Sequence, residues 1–165
     1  MFQIDEYVIH MTGGICQVKD IAPIELPNAD KDKLYYLLVP VKNAGSKVFV
    51  PVDNDSAIRK ICTPEQANEL IEQIPEIEEL VIDNEKFRET RYKEVIKSCD
   101  LHELVGIIKS LYTRKEARIA AGKKITATDD KYFRIAEDNL INELCFVLGR
   151  EKDDVKAIIN TQIAC

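Results

Sequence analysis

The chain has 165 residues, 45% of them hydrophobic and 32% charged, with a formal net charge of −6. That balance excludes a disordered chain and leaves room for one ordinary domain or two small ones. The longest apolar runs, such as Leu37-Leu38-Val39, are far too short to span a bilayer, and Met1-Phe2-Gln3-Ile4-Asp5-Glu6 lacks the basic and apolar regions of a secretion signal.

Residues 1–52 read as β structure. Tyr7-Val8-Ile9 is a short apolar run, Gly13-Gly14 a turn or bulge signal, and Ile15-Cys16-Gln17-Val18 a second run, followed by Ile21 and Ile24. Pro23 and Pro27 suit a strand end or an edge. The polar stretch Asn28 to Lys33 is a hairpin loop before Leu34-Tyr35-Tyr36-Leu37-Leu38-Val39. Asn43-Ala44-Gly45-Ser46 is a further turn, and Lys47-Val48-Phe49-Val50-Pro51-Val52 is the last strand. About five short strands between tight turns predict a small barrel or a strongly bent sheet.

The period then changes from two to 3.6. Thr63-Pro64-Glu65-Gln66 is a helix start with a capping box, and Leu70, Ile71 and Ile74 form its stripe until Pro75 stops it. Glu76 to Glu85 is acidic and irregular, which predicts a linker or hinge. Asp83 or Asn84 caps a helix through about Ser98, with Phe87, Tyr92, Val95 and Ile96 as inward candidates. Asp100 caps the next, striped by Leu101, Leu104, Val105, Ile108, Leu111 and Tyr112. It ends in Arg114, Lys115 and Arg118, cations that suit a helix C-terminus, before Gly122. Thr126 opens a longer helix lined by Phe133, Ala136, Leu140, Ile141, Leu144 and Val147, which Gly149 stops. Asp153 to Ile163 is a last short helix. The expected fold class is therefore α+β, with a β domain over 1–60, a compact all-α bundle over 61–165, and an acidic linker around 75–85.

The residues point away from catalysis. There is no Walker A loop, GxGxxG or GxSxG, and nothing sets a base beside a nucleophile. Glu76, Glu78 and Glu79 cluster, but an acidic linker accounts for them. Cys16, Cys62, Cys99, Cys145 and Cys165 are odd in number and far apart, as expected of reduced thiols rather than a disulfide framework. Their spacing to His10 and His102 supports no zinc site. The expectation is a cytoplasmic, monomeric protein that is not an enzyme, with no cofactor, no metal and no membrane partner.

Charge is unevenly distributed. Residues 1–85 hold 7 basic and 16 acidic side chains, a balance of −9; residues 86–125 hold 11 and 5, a balance of +6; residues 126–165 hold 5 and 8, a balance of −3. Forty residues thus concentrate positive charge between acidic segments, and a phosphate backbone responds to such local density. A solvated helix face of mixed charge is the alternative.

Phe87-Arg88-Glu89-Thr90-Arg91-Tyr92-Lys93, then Asp100-Leu101-His102-Glu103-Leu104-Val105, resembles the CarD family of bacterial RNA-polymerase-binding regulators, which carries a Trp-x-x-Arg-Tyr-Lys stretch before a helix. Met1 to His10, the glycines at 13 and 14, Tyr35-Tyr36-Leu37-Leu38 and Val48-Phe49-Val50-Pro51 agree in the same order. The resemblance implies a Tudor-like or SH3-like β domain that docks on the β-subunit lobe of RNA polymerase, with Ile24, Val48, Phe49, Val50 and Pro51 as contact candidates. It also implies a helical domain at the upstream edge of the melted promoter, where the family's tryptophan wedges into the minor groove and stabilises the open complex.

This chain has no tryptophan. Arg88 takes that position, with Phe87 one residue earlier. Either is a candidate for the wedge, Phe87 as an apolar insert or Arg88 in a narrow, electronegative groove; Phe87 as a core residue is the alternative. Arg91, Lys93, Lys97, Lys123 and Lys124 are further candidates for DNA, through phosphate contact. The sequence departs from the family also at His10-Met11, where Tyr-Pro is usual, and at Phe49, where an arginine is usual. A polymerase-binding module without a wedge and a small-ligand sensor stand as rival readings.

Overall fold

A computed structural model of the chain describes residues 1–12 and 14–165, with Asp55 described by its backbone alone; Gly13, half of the expected glycine turn, lies outside them. The chain divides into two compact units, Met1–Ile61 and Cys62–Cys165.

The first unit is a curled antiparallel sheet, a half-barrel, of β1 (Tyr7–His10), β2 (Gly14–Ala22), β3 (Tyr35–Pro40), β4 (Val48–Pro51) and β5 (Ile58–Lys60), in the order β4-β3-β2-β1-β5. Lys47–Val52 is therefore not the last strand. Ile58–Lys60 pairs with β1 across Ile9↔Arg59, a three-residue strand too short for alternation to announce it. β2 extends beyond the run Ile15–Val18 to Ala22, with a register shift between Val18 and Asp20 in its pairing to β3. Val8, Cys16, Val18, Tyr36, Leu38 and Val50 form the core on one face. Phe2 packs edge-on against Tyr36 with ring centroids 5.7 Å apart, and its backbone N–H donates to the Tyr36 hydroxyl.

His10 closes β1 and is buried. Its Nδ1 accepts from the Thr12 backbone N–H at 3.2 Å, which requires the unprotonated nitrogen there. Burial holds its pKa below the ordinary value.

The second unit contains α1 (Pro64–Gln73), α2 (Arg88–Ser98), α3 (Leu101–Ala120), α4 (Ala127–Leu148) and α5 (Lys152–Ile163). Three of the predicted helix starts are capped as expected, whereas Asn84 caps a short 3-10 turn, Glu85–Phe87, and α2 follows it without a side-chain cap. Thr63 and Gln66 make a reciprocal capping box, Asp100 and Thr126 each accept from the third residue of their helices, and Gly149 ends α4 at φ 62°. One core joins the helices through Leu70, Ile74, Tyr92, Val95, Leu104, Ile108, Leu111, Leu140, Ile141, Leu144, Val155 and Ile159. Tyr112 departs from its expected place: core contact along α3 reaches Leu111, and Tyr112 is 40% exposed on the helix beyond it.

The acidic stretch after α1 lies inside this unit, not between the two. It runs as a strap along α3. The Leu80 N–H donates to the Gly106 carbonyl at 3.0 Å, and Thr113 donates to Glu79 at 2.6 Å. Lys109 Nζ donates to the carbonyls of Ile74, Pro75 and Ile77, so one half-buried lysine of α3 ties down the short 3-10 turn Ile74–Glu76 and the residue after it. Gly106 permits this approach, since a Cβ there would stand 3.1 Å from the Glu78 carbonyl oxygen. Alanine gains about 1 kcal/mol of helix propensity over glycine, but the strap's backbone is pinned on both sides of the contact. Gly106→Ala is expected to lower stability by a net of about 1 kcal/mol or more in urea unfolding; an unchanged or raised midpoint would show that the strap yields.

Candidate functional site

The start of α2 is built around Arg88. A 3-10 turn, Glu85–Phe87, is capped by Asn84, whose side chain accepts from the Lys86 N–H at 3.0 Å. The inward positions of α2 follow at steps of four and three: Tyr92 and Val95 are fully buried, and Cys99 is nearly so. Counting four back from Tyr92 puts Arg88, not Phe87, on the inward side. Phe87 lies about 100° away around the axis and is 62% exposed. Its expectation as a core residue is thereby overturned.

An inward arginine must be satisfied, and this one is. Its guanidinium pairs with Glu85, with Nε donating to Oε2 at 2.7 Å and Nη2 donating to Oε1. Nη1 donates to the Tyr92 hydroxyl at 2.7 Å, and the guanidinium carbon stands 5.7 Å from the Tyr92 ring centroid. The Tyr92 hydroxyl donates in turn to Asp129 Oδ1 at 3.1 Å. Asp129 Oδ2 accepts from Arg114 Nε at 2.6 Å, and Arg114 Nη1 returns to within 3.8 Å of Glu85. Five residues from three helices and one turn thus close a ring. The Arg88 contact holds the Glu85 carboxyl below its ordinary value, and Glu85 in turn raises the Arg88 guanidinium. Beside the ring, Tyr132 donates to Glu89 at 3.1 Å, its ring centroid 5.4 Å from that of Tyr92.

The other predicted DNA residues separate into two groups. Arg91 pairs with Glu94 at 3.2 Å and lies 4.0 Å from Glu103, and Lys93 lies 3.4 Å from Glu89. Lys97, Lys123 and Lys124 are exposed, as is Lys86, which the sequence reading did not single out; none of these four has an ion pair among the described residues. Arg118 Nε donates to the Lys124 carbonyl at 2.8 Å and so fixes the lysine pair to α3, one turn beyond Arg114. Lys86, Phe87, Lys123 and Lys124 therefore share one end of the bundle. Lys97 lies in the last turn of α2, about 14 Å from Arg88 along the axis.

The polymerase-contact candidates divide by strand alternation. Val48 and Val50 turn toward the β core, Val50 with only 3% exposure. Phe49 turns outward, opposite Leu37, which in turn pairs with Asp20. Phe49, Leu37, Tyr35, Ile24, Asp20 and Glu25 help line a shallow groove of about 330 Å³. β4 is an edge strand. The Val52 N–H donates to Leu34 at 2.9 Å, so alternation directs the N–H and C=O of Phe49 away from β3. Pro51, which has no N–H to donate, also falls at a position that does not bond β3, and its carbonyl accepts from Asn54.

Elsewhere, none of the five cysteines is joined in a disulfide, and burial raises the Cys16 thiol to about 11. His102 bonds Gln73 at 3.1 Å. No helix among the described residues is long and apolar enough to cross a membrane.

The ring makes opposite demands of neighbouring residues. Arg88→Ala removes hydrogen bonds from a side chain only 15% exposed and is expected to cost about 1–3 kcal/mol in chemical denaturation, whereas Phe87→Ala changes stability by less than about 0.5 kcal/mol. The reverse order would overturn the inward assignment of Arg88. The Glu85 contribution also has a sign in pH. Because its folded pKa lies below the ordinary 4.5, the contribution is complete above that value and is lost as pH falls through the lowered folded value. The melting-temperature gap between the parent and Glu85→Gln should therefore close in acid; a gap that widens in acid would contradict the pairing.

Two family models match the chain. Residues 2–62 match the CarD-like/TRCF RID domain, and residues 69–160 match the CarD C-terminal domain. No curated protein matches it. The two matches follow one another in the order of the half-barrel and the helical unit, and together they leave few residues unaccounted for, so the chain belongs to the CarD family, whose members are non-enzymatic transcription regulators that interact with RNA polymerase.

Proposed function

We propose that this protein docks on the β-subunit lobe of RNA polymerase through β4 and stabilises the open promoter complex with Phe87, inserted in the minor groove at the upstream edge of the melted DNA. The observation that carries this reading is the exposure of Phe87 beside an Arg88 that the fold has drawn inward. An aromatic ring held in water at a helix start has little to gain there and much to gain against unstacked bases. Of the two wedge candidates, only Phe87 is free to reach DNA without dismantling ion pairs.

Lys86, Lys123 and Lys124, at the same end, serve as phosphate contacts, with Lys97 farther along α2. These contacts carry no sequence information, so promoter choice belongs to the polymerase. Weak contacts suffice because docking raises the local concentration of the helical unit at the promoter. The wedge lengthens the life of the open state by its greater affinity for melted DNA. The setting is the bacterial cytoplasm, where promoter and polymerase meet.

The docking chemistry follows from the β4 edge. The outward N–H and C=O of Phe49 offer a partner strand two hydrogen bonds. Pro51 and the turn that uses its carbonyl limit further pairing in that direction, as natural edges often do. Phe49 replaces the family's usual arginine, which makes the contact more apolar.

Two measurements test the reading. An aromatic–base contact contributes about 1–3 kcal/mol, so Phe87→Ala should shorten open-complex lifetime roughly five-fold or more while leaving affinity for the β lobe unchanged. An unaltered lifetime would reduce the protein to a polymerase-binding module. In a pull-down with the β lobe, Phe49→Pro should weaken binding more than Phe49→Ala, because it removes the edge donor as well as the ring; equal effects would remove strand addition from the docking mode.

A further inference from the structure

We propose that the ring Glu85–Arg88–Tyr92–Asp129–Arg114 is the device that sets the pose of Phe87, with Arg88 and Tyr92 as positioning residues that never touch DNA. The proposal rests on the reading of Phe87 as the wedge and adds what holds it.

Phe87 has little holding of its own. It is the residue before the first turn of α2, it makes no side-chain capping bond, and most of its ring is in solvent. Its backbone, though, is caught between two fixed points. On one side the Phe87 N–H donates to the Asn84 carbonyl at 3.0 Å. On both sides the ring closes across it, because Glu85 precedes Phe87, Arg88 follows it, and their side chains are joined by two hydrogen bonds. The turn cannot unwind without breaking that pair.

A local pair alone would fix the shape of the turn but not its direction. Direction comes from the other members. Tyr92 ties Arg88 to α4 through Asp129, and Arg114 ties the same carboxylate to α3 and returns toward Glu85. Asp129 is buried, and its backbone N–H is held by the Thr126 cap of α4. The turn that carries Phe87 is therefore referenced to two long helices. The loop bearing Lys123 and Lys124 connects those same two helices and is clamped by Arg118. Wedge and phosphate contacts thus share one frame, which is what insertion at a fixed distance from the backbone phosphates requires.

Where the family places its tryptophan, this chain places a cation whose ring partner, Tyr92, also satisfies it. The substitution moves the apolar wedge one residue back and uses the vacated position to hold it.

The test observes Phe87 directly and needs no DNA. The chain has five phenylalanines, so uniform 4-fluorophenylalanine labelling gives five 19F resonances, with that of Phe87 identified by its disappearance in Phe87→Leu. Tyr92→Phe keeps the buried ring and removes only the hydroxyl; Arg114→Gln opens the ring from a partly exposed side chain and serves if the first variant folds poorly. Both should shift or broaden the Phe87 resonance and leave those of Phe2 and Phe49 in place. A Phe87 resonance unchanged in position and width in either folded variant overturns the proposal.

A second arm compares open-complex lifetimes in a double-mutant cycle with Phe87→Ala. Tyr92→Phe should shorten the lifetime several-fold in the parent and add nothing once Phe87 is gone. Equal shortening in both backgrounds overturns the positioning role. If the resonance moves but Phe87→Ala leaves lifetime intact, it is the wedge reading that fails, while the ring's hold on Phe87 stands.

Discussion

Everything at the start of α2 follows from where one guanidinium goes. Arg88 occupies the inward phase of its helix because Tyr92, Glu85 and, beyond them, Asp129 and Arg114 satisfy its charge and its donors. Turned outward, it would give up its two hydrogen bonds to Glu85 and the one to the Tyr92 hydroxyl. The helix is rigid about its axis, so drawing Arg88 in turns Phe87 out. A residue that hydrophobicity alone assigns to the core is thereby delivered to the surface by its neighbour's electrostatics.

The same economy governs the rest of the basic segment. Residues 86–125 hold 11 cations, but the fold engages most of them itself. Arg88, Arg91, Lys93 and Arg114 sit against carboxylates, and Lys109 and Arg118 donate to backbone carbonyls. What remains for a polyanion is Lys86, Lys97, Lys115, Lys123 and Lys124, and three of these gather at the Phe87 end. Local net charge therefore overstates how much of the segment is open to a polyanion. A weak, localised cationic surface fits the proposed role, in which docking on polymerase arranges the approach to DNA, since a stronger one would hold the protein on DNA at large.

Much of this was legible in the sequence. The caps at Thr63, Asp100 and Thr126 and the stop at Gly149 are local signals whose geometry depends on a few adjacent residues, and they appear as read. The spacings Glu85–Arg88 and Arg88–Tyr92 were also readable as helical neighbours. Arg114 and Asp129 were not, because fifteen residues and a helix reversal separate them and only packing brings them together. β5 escaped for the opposite reason: three residues give alternation too little to show. The acidic stretch before Asn84 looked like a linker because its side chains are polar, yet it is held mainly by its backbone, through Gly106 and Lys109, and backbone bonding leaves no mark on composition. At the β4 edge, alternation did separate Phe49 from Val48 and Val50 once the register with β3 was fixed, and the register is a property of the pair rather than of either strand.

The claim that most of the basic segment is engaged by the fold itself has a direct measure, the salt dependence of binding between the full chain and promoter duplex. Each phosphate contact contributes about −0.9 to the slope of log K against log salt. Five available lysines limit the slope to about −4.5 at its steepest, and the account predicts a value at or shallower than that. A slope approaching about −10, as expected if all the cations of the segment met phosphate, would contradict it.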